Sequence, residues 1–373
     1  MPNDRLLEDF VHNFVDDSET FITTIHGNDE MYLWDDDSPR VTSDPNLDYL
    51  LAGRRMLSDL RPFVDWAFGG FGGISSVLDF ASGYGRLTRH LIQRVPAERV
   101  WISDIQAGGV EFQVSTFGVH GFVSAAEPKN LACDRKFDLV FVASLFSHLP
   151  HRTFSSWLDR LYSLLTDRGI LVFSVHDISL TDKRPDRRGM AFIAQSESDR
   201  LDPNAYGTSY VSESYVEKAV RSVTGRRDRV RRVPKGLCNY QDLYVVAGKD
   251  RGDLDSMDTS PGLAAFIDVQ SATADALDLL GWAHDFSESA NTTEIITLIN
   301  SEVVDRSPAT GNRSDVAAHF GDRDAGRSGW SVSLPLARLA PDDVVSVRAV
   351  SPSGRDLVLL YDTVGALRPT AEL

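Results

Sequence analysis

The sequence predicts an α/β domain with a doubly wound, seven-stranded, mostly parallel sheet, followed by a second, all-β sandwich domain. Three observations predict it. Apolar strand segments alternate with helical ones between Ile74 and Ala247. A glycine turn at Gly83 and Gly85 joins the first of those strands to a helix. Beyond residue 262 the apolar pattern switches to period-2 alternation. A length of 373 residues exceeds the usual single-domain size, so two domains are expected.

Residues 1–70 read as a helical lid or cap, interrupted by the acidic break Asp35-Asp36-Asp37-Ser38-Pro39. Within it, Leu50, Leu51, Met56, Leu57, Leu60, Val64 and Ala67 recur near helical spacing. Residues 71–252 carry the α/β pattern. Its strands are Ile74–Phe80, Val100–Ser103, Val119–Val123, Phe137–Ala143 and Ile170–Val175, then Arg229–Val233 and Leu243–Ala247. Helices lie between them, including Val110–Phe117, Arg152–Leu165 and Glu213–Val223. Nearly continuous apolar strands separated by helices imply a parallel sheet covered on both faces. Residues 262–365 show short alternating strands divided by Gly, Asn, Asp and Pro, which predicts an antiparallel sandwich.

Composition narrows the function classes. A net charge of −16 opposes nucleic-acid binding, which needs a basic face for phosphates. The basic run Arg226, Arg227, Arg229, Arg231, Arg232 and Lys235 has two readings, a charged edge strand or an anion-attracting patch. There is no run of about 18 apolar residues, so no membrane span is expected. Asp4, Glu8 and Asp9 near the start leave no apolar leader region. Cys133 and Cys238 make neither a metal knuckle nor a disulfide framework, so no metal and a cytoplasmic setting are expected.

The glycine turn decides the cofactor class. A nicotinamide fingerprint requires G-x-G-x-x-G/A, and Thr88 stands at the third position. The acid Asp79 ends the strand before the turn, giving D-x-A-x-G-x-G over Asp79–Gly85. This stretch resembles motif I of the class I S-adenosylmethionine methyltransferases, with Ala81 in place of the first glycine. Further segments carry the resemblance over residues 45–250. Phe137–Pro150 is similar to the family's fourth strand and its "FDLV…HLP" continuation. Thr166–Phe173 is similar to its fifth strand, and Gln241–Val246 to its final antiparallel strand.

The resemblance implies S-adenosylmethionine as cofactor, bound by Asp79, Ala81, Ser82, Gly83, Tyr84, Gly85, Asp104, Ile105 and Ser144. Gly83 and Gly85 permit a tight turn at positive φ. The following helix N-terminus favours a carboxylate, and Asp79 offers a partner for an ammonium. Asp104 lies 104 − 85 = 19 residues beyond Gly85, about the interval at which an acid reaches an adenosine ribose. Its other reading is a helix N-cap.

Residues past the fourth and fifth strands face the reaction. His176 is the first candidate for a general base and His148 the second; the alternative for each is a structural hydrogen bond. The long segment Asp177–Tyr210 holds Lys183, Arg184, Arg187, Arg188, Arg200, Tyr206 and Tyr210. Arg184, Arg188, Tyr206 and Tyr210 are the candidate grip on a sugar, phosphate or nucleotide diphosphate, against the reading of a solvated insertion. Tyr49 and Arg54 are placed by analogy to close over the cofactor.

Gly281-Trp282-Ala283, Arg313–Phe320 and Ser328-Gly329-Trp330 resemble an accessory β-sandwich found on glycosyltransferases and glycan-associated methyltransferases. Trp282 and Trp330 either stack on sugars or fill the core. The expectation is methyl transfer to oxygen of a sugar, glycan precursor or small metabolite, with protein or carbohydrate contact through the second domain. The rival is a non-catalytic binding or scaffold protein that keeps the fold.

Overall fold

The computed structural model describes residues 4–33, 40–195, 201–288 and 293–368. The acidic break at residues 35–39 and Arg200 lie outside the described residues. The chain divides into two compact units. One comprises Ile22–Trp34 and Ala52–Thr259; the other comprises Met1–Phe21, Asp35–Leu51 and Ser260–Leu373. The N-terminal segment expected to form one lid is therefore shared between them, and the helix Pro45–Phe68 contributes to both.

The α/β unit is built on β1 (Val77–Phe80), β2 (Val100–Asp104), β3 (His120–Val123), β4 (Phe137–Val142) and β5 (Leu165–Asp177). It continues through β6 (Met190–Ile193), β7 (Thr208–Val211), β8 (Val230–Leu237) and β9 (Gln241–Ala247). Strands β3-β2-β1-β4-β5 are parallel neighbours, and β9 then β8 continue the sheet antiparallel. Alternate residues of each strand feed opposite cores, as the period of 2 requires. Leu78, Val140, Leu171 and Phe173 join one cluster with Phe154, Trp157 and Val216. Val77, Leu139, Phe141, Ile170 and Val172 join the other with Leu60, Val64, Leu91 and Val110.

The predicted strands and helices of this unit are present, with shifted ends. The helix Glu213–Thr224 starts at Ser212, whose side chain accepts from Tyr215 N, and stops at Gly225 with φ 72. Such caps each contribute about 1 kcal/mol. The stretch Thr166-Asp167-Arg168-Gly169 falls at a register shift in the pairing of β5 with β4. Asp138 acts locally there: its carboxylate accepts from Ser75 N and Thr166 Oγ1, both at 3.0 Å.

β5 outruns its neighbours. Up to Val175 it pairs with β9; at His176 and Asp177 it pairs with β7, which forms a hairpin with β6. The long polar segment after β5 is thus partly a β-hairpin rather than a solvated loop. Half of the basic run, Arg231, Arg232 and Lys235, lies on β8, an edge strand, and Arg226, Arg227 and Arg229 precede it. Arg226 pairs with Asp228, and Arg231 with Asp255. Arg229 donates to the carbonyls of Gly248, Lys249 and Arg251. Arg232 pairs with Asp177, Glu213 and Asp242 at 2.7 to 3.0 Å. These four arginines are spent on the fold, which favours the edge-strand reading.

The second unit holds two four-stranded antiparallel sheets. One orders β10 (Leu263–Ala272), β11 (Ala276–Asp285), β15 (Arg327–Pro335) and β14 (Gly311–Asn312). The other orders β13 (Glu302–Pro308), β12 (Glu294–Ile299), β16 (Val344–Val350) and β17 (Asp356–Thr363). Leu277, Leu279, Ile295, Val345 and Val347 are in the core between them. Trp330 is buried in that core and crosses Gly281, where any Cβ would meet its ring. Trp282 is half-buried against Phe320. The N-terminal helix Asp4–Phe14 belongs to this unit: Leu6 and Phe10 are buried, Phe14 packs on Tyr361, and the Tyr361 hydroxyl donates to Asp9.

Candidate functional site

A cavity of about 350 Å3 opens at the carboxyl ends of β1, β2, β3 and β4. Ligands of open α/β sheets bind at this edge, where β1 has neighbours running in both directions of the sheet. Four stretches form its main walls: Asp79–Tyr84 from the glycine turn, Asp104–Gln106, Ser124–Ala126 and Ala143–Leu145. Asp29, Glu30, Met31 and Met56 close one side, and Leu201, Asp202, Ala205 and Tyr206 another.

The turn owes its shape to three special positions. Ala81 has φ 60, where the family pattern has glycine, and its N donates to Ser103 O at 2.8 Å. Holding an alanine there costs about 1 to 2 kcal/mol. Gly83 has φ 58, and a Cβ on it would enter open space. Gly85 has φ 86 and a different reason: a Cβ would lie 2.4 Å from the Phe117 ring. Gly85 therefore sets the packing of the turn on the helix Ala107–Phe117, and it does not line the cavity.

Thr88, where a dinucleotide fold would carry its third glycine, links three elements. Its Oγ1 lies 2.9 Å from Asp79 Oδ2 and 2.8 Å from Gln113 Oε1. The Gln113 amide donates to Ser82 Oγ and Gly83 O, both at 2.9 Å, which fixes its orientation. One hydroxyl proton thus faces two oxygen acceptors. A protonated Asp79 resolves this, and burial pushes the Asp79 carboxyl up to about 7, against the Thr88 hydrogen bond and with help from Asp104. Burial also raises the Asp104 carboxyl, opposed by hydrogen bonds from the backbone of Gln106 and Gly83. Both of those bonds are 2.8 Å long.

A strap from residues 22–33 crosses this turn. Buried Arg89 donates to the carbonyls of Ile22 and Thr24 at 3.0 Å each. His26 stacks on Tyr84 at 4.6 Å, and Gln106 Nε2 donates to Glu30 at 3.2 Å.

At the other end, Ser144 follows β4 with φ 56. Its N donates to Ser174 Oγ at 2.7 Å, and its Oγ lies 3.1 Å from Gln241 Nε2. The same Gln241 nitrogen is 3.2 Å from His176 Nε2. Gln241 thus stands between His176 and the cavity wall. Burial pushes the His176 imidazole down to about 4, with a further contribution from His148. His148 Nδ1 is 2.8 Å from Gly207 O, and its ring stacks on Tyr206 at 4.6 Å.

Residues 78–171 match the family model described as a methyltransferase domain. The match spans β1 through most of β5 and takes in the whole glycine turn. Residues 78–171 form a methyltransferase domain. The cofactor of this methyltransferase domain is S-adenosylmethionine. The residues fit it. Asp29, Glu30, Asp79, Asp104 and Asp202 give the wall an acidic character suited to a sulfonium and an ammonium, and open space over Gly83 lets a ligand approach the backbone.

A comparison with curated proteins found no match. Among solved structures, the Burkholderia thailandensis 1,6-didemethyltoxoflavin-N1-methyltransferase is 16% identical, with coverage of 52% of this chain and 78% of that one and a TM-score of 0.37. The magnesium protoporphyrin IX methyltransferase of Synechocystis PCC 6803 is 17% identical, with coverage of 58% and 91% and a TM-score of 0.36. An O-methyltransferase family protein from Burkholderia thailandensis is 18% identical, with coverage of 50% and 55% and a TM-score of 0.36. Scores this low carry no acceptor over to this chain.

The structure brings most of the expected cofactor residues together. Asp79, Ala81, Ser82, Gly83, Tyr84, Asp104, Ile105 and Ser144 line the cavity of the methyltransferase domain. Of the expected acceptor residues, Tyr206 lines it, while Arg184 and Arg188 are exposed elsewhere and Tyr210 packs on His176. His148, His176, Arg54 and Tyr49 do not line the cavity. Sequence reasoning missed Asp29–Met31, Met56, Arg86, Trp157 and the Ser124–Ala126 stretch. Only the last had a signal, its place just past β3. Among the described residues, no helix is long and apolar enough to cross a membrane.

Proposed function

We propose that the protein transfers the methyl group of S-adenosylmethionine to an oxygen of a small acceptor, drawn from sugars, glycan precursors and related metabolites. The observation that carries this reading is the cavity built by the glycine turn, with Asp79, Gly83 and Asp104 on its wall. A bound cofactor would supply the methyl carbon for in-line displacement by the acceptor oxygen, with S-adenosylhomocysteine as the leaving group and the hydroxyl proton passing to solvent water. Ionised Asp79 would hold the ammonium, and Arg86 the carboxylate, of the methionine portion. Asp104 and Glu30 face the ribose hydroxyls, and Ile105, left 42% exposed on the wall, offers an apolar face to the base.

Ser144 presents its hydroxyl to the acceptor and is kept in place by Ser174 and Gln241. His176 acts through Gln241 as a positioning residue, because an amide between them passes no proton readily. Orientation then supplies most of the rate. His176→Ala should lower kcat about fivefold without removing a limb of the kcat pH profile; loss of a limb near neutral pH would make it the base. Transfer of label from methyl-labelled S-adenosylmethionine to acceptors, with wild type and Arg86→Gln, tests the reading. Arg86→Gln should raise the cofactor KM about tenfold with kcat little changed.

A further inference from the structure

We propose that the acceptor is an uncharged molecule with a flat apolar face, and that sugar phosphates and nucleotide sugars are excluded. This rests on the methyl-transfer reading and narrows its acceptor. Along the carboxyl edge, the cavity runs from the ends of β3 and β2 to the end of β4 and the 201–206 segment. Three strand spacings separate β3 from β4, about 14 Å. The β3 and β2 end carries Glu30, Asp104 and Ile105, the groups assigned to the adenosine. The β4 end remains for the acceptor.

That end is apolar and aromatic. Leu145, Leu149, Trp157, Leu201 and Tyr206 line it. Trp157 is fixed against Phe80, with ring centroids 5.2 Å apart. Tyr206 is held by its stack on His148, which is itself bonded to the backbone of Gly207. Flat faces held in this way suit a planar partner. Among the described residues, the polar groups that line this end include the Ser144 and Tyr206 hydroxyls and the Asp202 carboxylate.

The charges oppose a phosphate. Anionic groups are gripped by forked arginines or several cations. Among the described residues, the wall carries five carboxyl groups, Asp29, Glu30, Asp79, Asp104 and Asp202, of which burial favours the neutral form at Asp79 and Asp104, and a single arginine, Arg86, in the glycine turn. The arginines that precede the hairpin, Arg184, Arg187 and Arg188, are exposed and lie off the wall. A dianionic phosphate at the β4 end would meet Asp202 and gain no cation from the described residues that line it.

The test uses the full chain in two stages. Calorimetry with S-adenosylhomocysteine comes first, and no binding there would overturn the methyl-transfer reading and this proposal together. With that product bound, saturation-transfer NMR follows with 2-naphthol, glucose 6-phosphate and UDP-glucose at neutral pH. The expected result is transfer to 2-naphthol, at least fivefold weaker in Tyr206→Ala, and none to the two phosphates. If S-adenosylhomocysteine binds while either phosphate also binds, 2-naphthol does not, or Tyr206→Ala leaves its signal unchanged, the acceptor class proposed here is wrong and the methyl-transfer reading stands.

Discussion

Asp79 joins the fold to the cofactor. Its carboxyl is raised from 3.8 to about 7, chiefly by burial. Between those values the unfolded chain holds the fewer protons, so stability falls as pH rises through the window and is flat above it. The whole span corresponds to roughly 4 kcal/mol. Asp79→Asn should remove this dependence, and denaturant titrations should show its advantage over wild type growing by about 2 to 3 kcal/mol between pH 5 and pH 8. Cofactor binding works in the opposite sense, because an ammonium favours the ionised carboxylate. Affinity should fall by up to about tenfold per pH unit below 7 in wild type and less in Asp79→Asn. Ala81 tells a simpler story. It occupies a left-handed conformation at φ 60, so Ala81→Gly should relieve strain and stabilise the chain by about 1 kcal/mol, read as a higher unfolding midpoint.

The glycine turn, the five parallel strands and the antiparallel pair β8 and β9 were legible because each leaves a local mark. The marks are continuous apolar runs, a two-glycine turn, and acids ending β1 and β2. Strand β13 left none: six of its seven residues are exposed, so no alternation distinguishes it from loop. The strap at residues 22–33 was invisible for another reason. Asp29, Glu30 and Met31 reach the cavity by long-range packing, pinned by Arg89, and nothing in their own sequence pattern says so. The β6–β7 hairpin was read as a loop because its strands are only four residues each and pair with the overhang of β5. The arginines that precede it drew attention by composition, while its tyrosine and leucine proved to lie on the wall. At Gly85 the element-level prediction is steric: Gly85→Ala drives a Cβ to 2.4 Å from Phe117 and should lower the unfolding midpoint, with a cost above 2 kcal/mol.

At the scale of the molecule, the chain order hides the partition into units. The N-terminal helix Asp4–Phe14 belongs with strands more than 250 residues away, and Phe10 within that unit is fully buried. The helix lies within residues 1–70, which were expected to form a lid or cap, and no spacing was read in its own residues to say what it packs against. The sandwich unit has a core of its own, and the residues that line the cavity all belong to the α/β unit. The central claim concerns that cavity. Titration of S-adenosylhomocysteine into wild type and Asp79→Asn at pH 8, followed by calorimetry, tests it most directly. The account predicts one binding site per chain in wild type and a loss of about tenfold or more in affinity in the variant. No binding by wild type, or equal affinity in the two proteins, would contradict it.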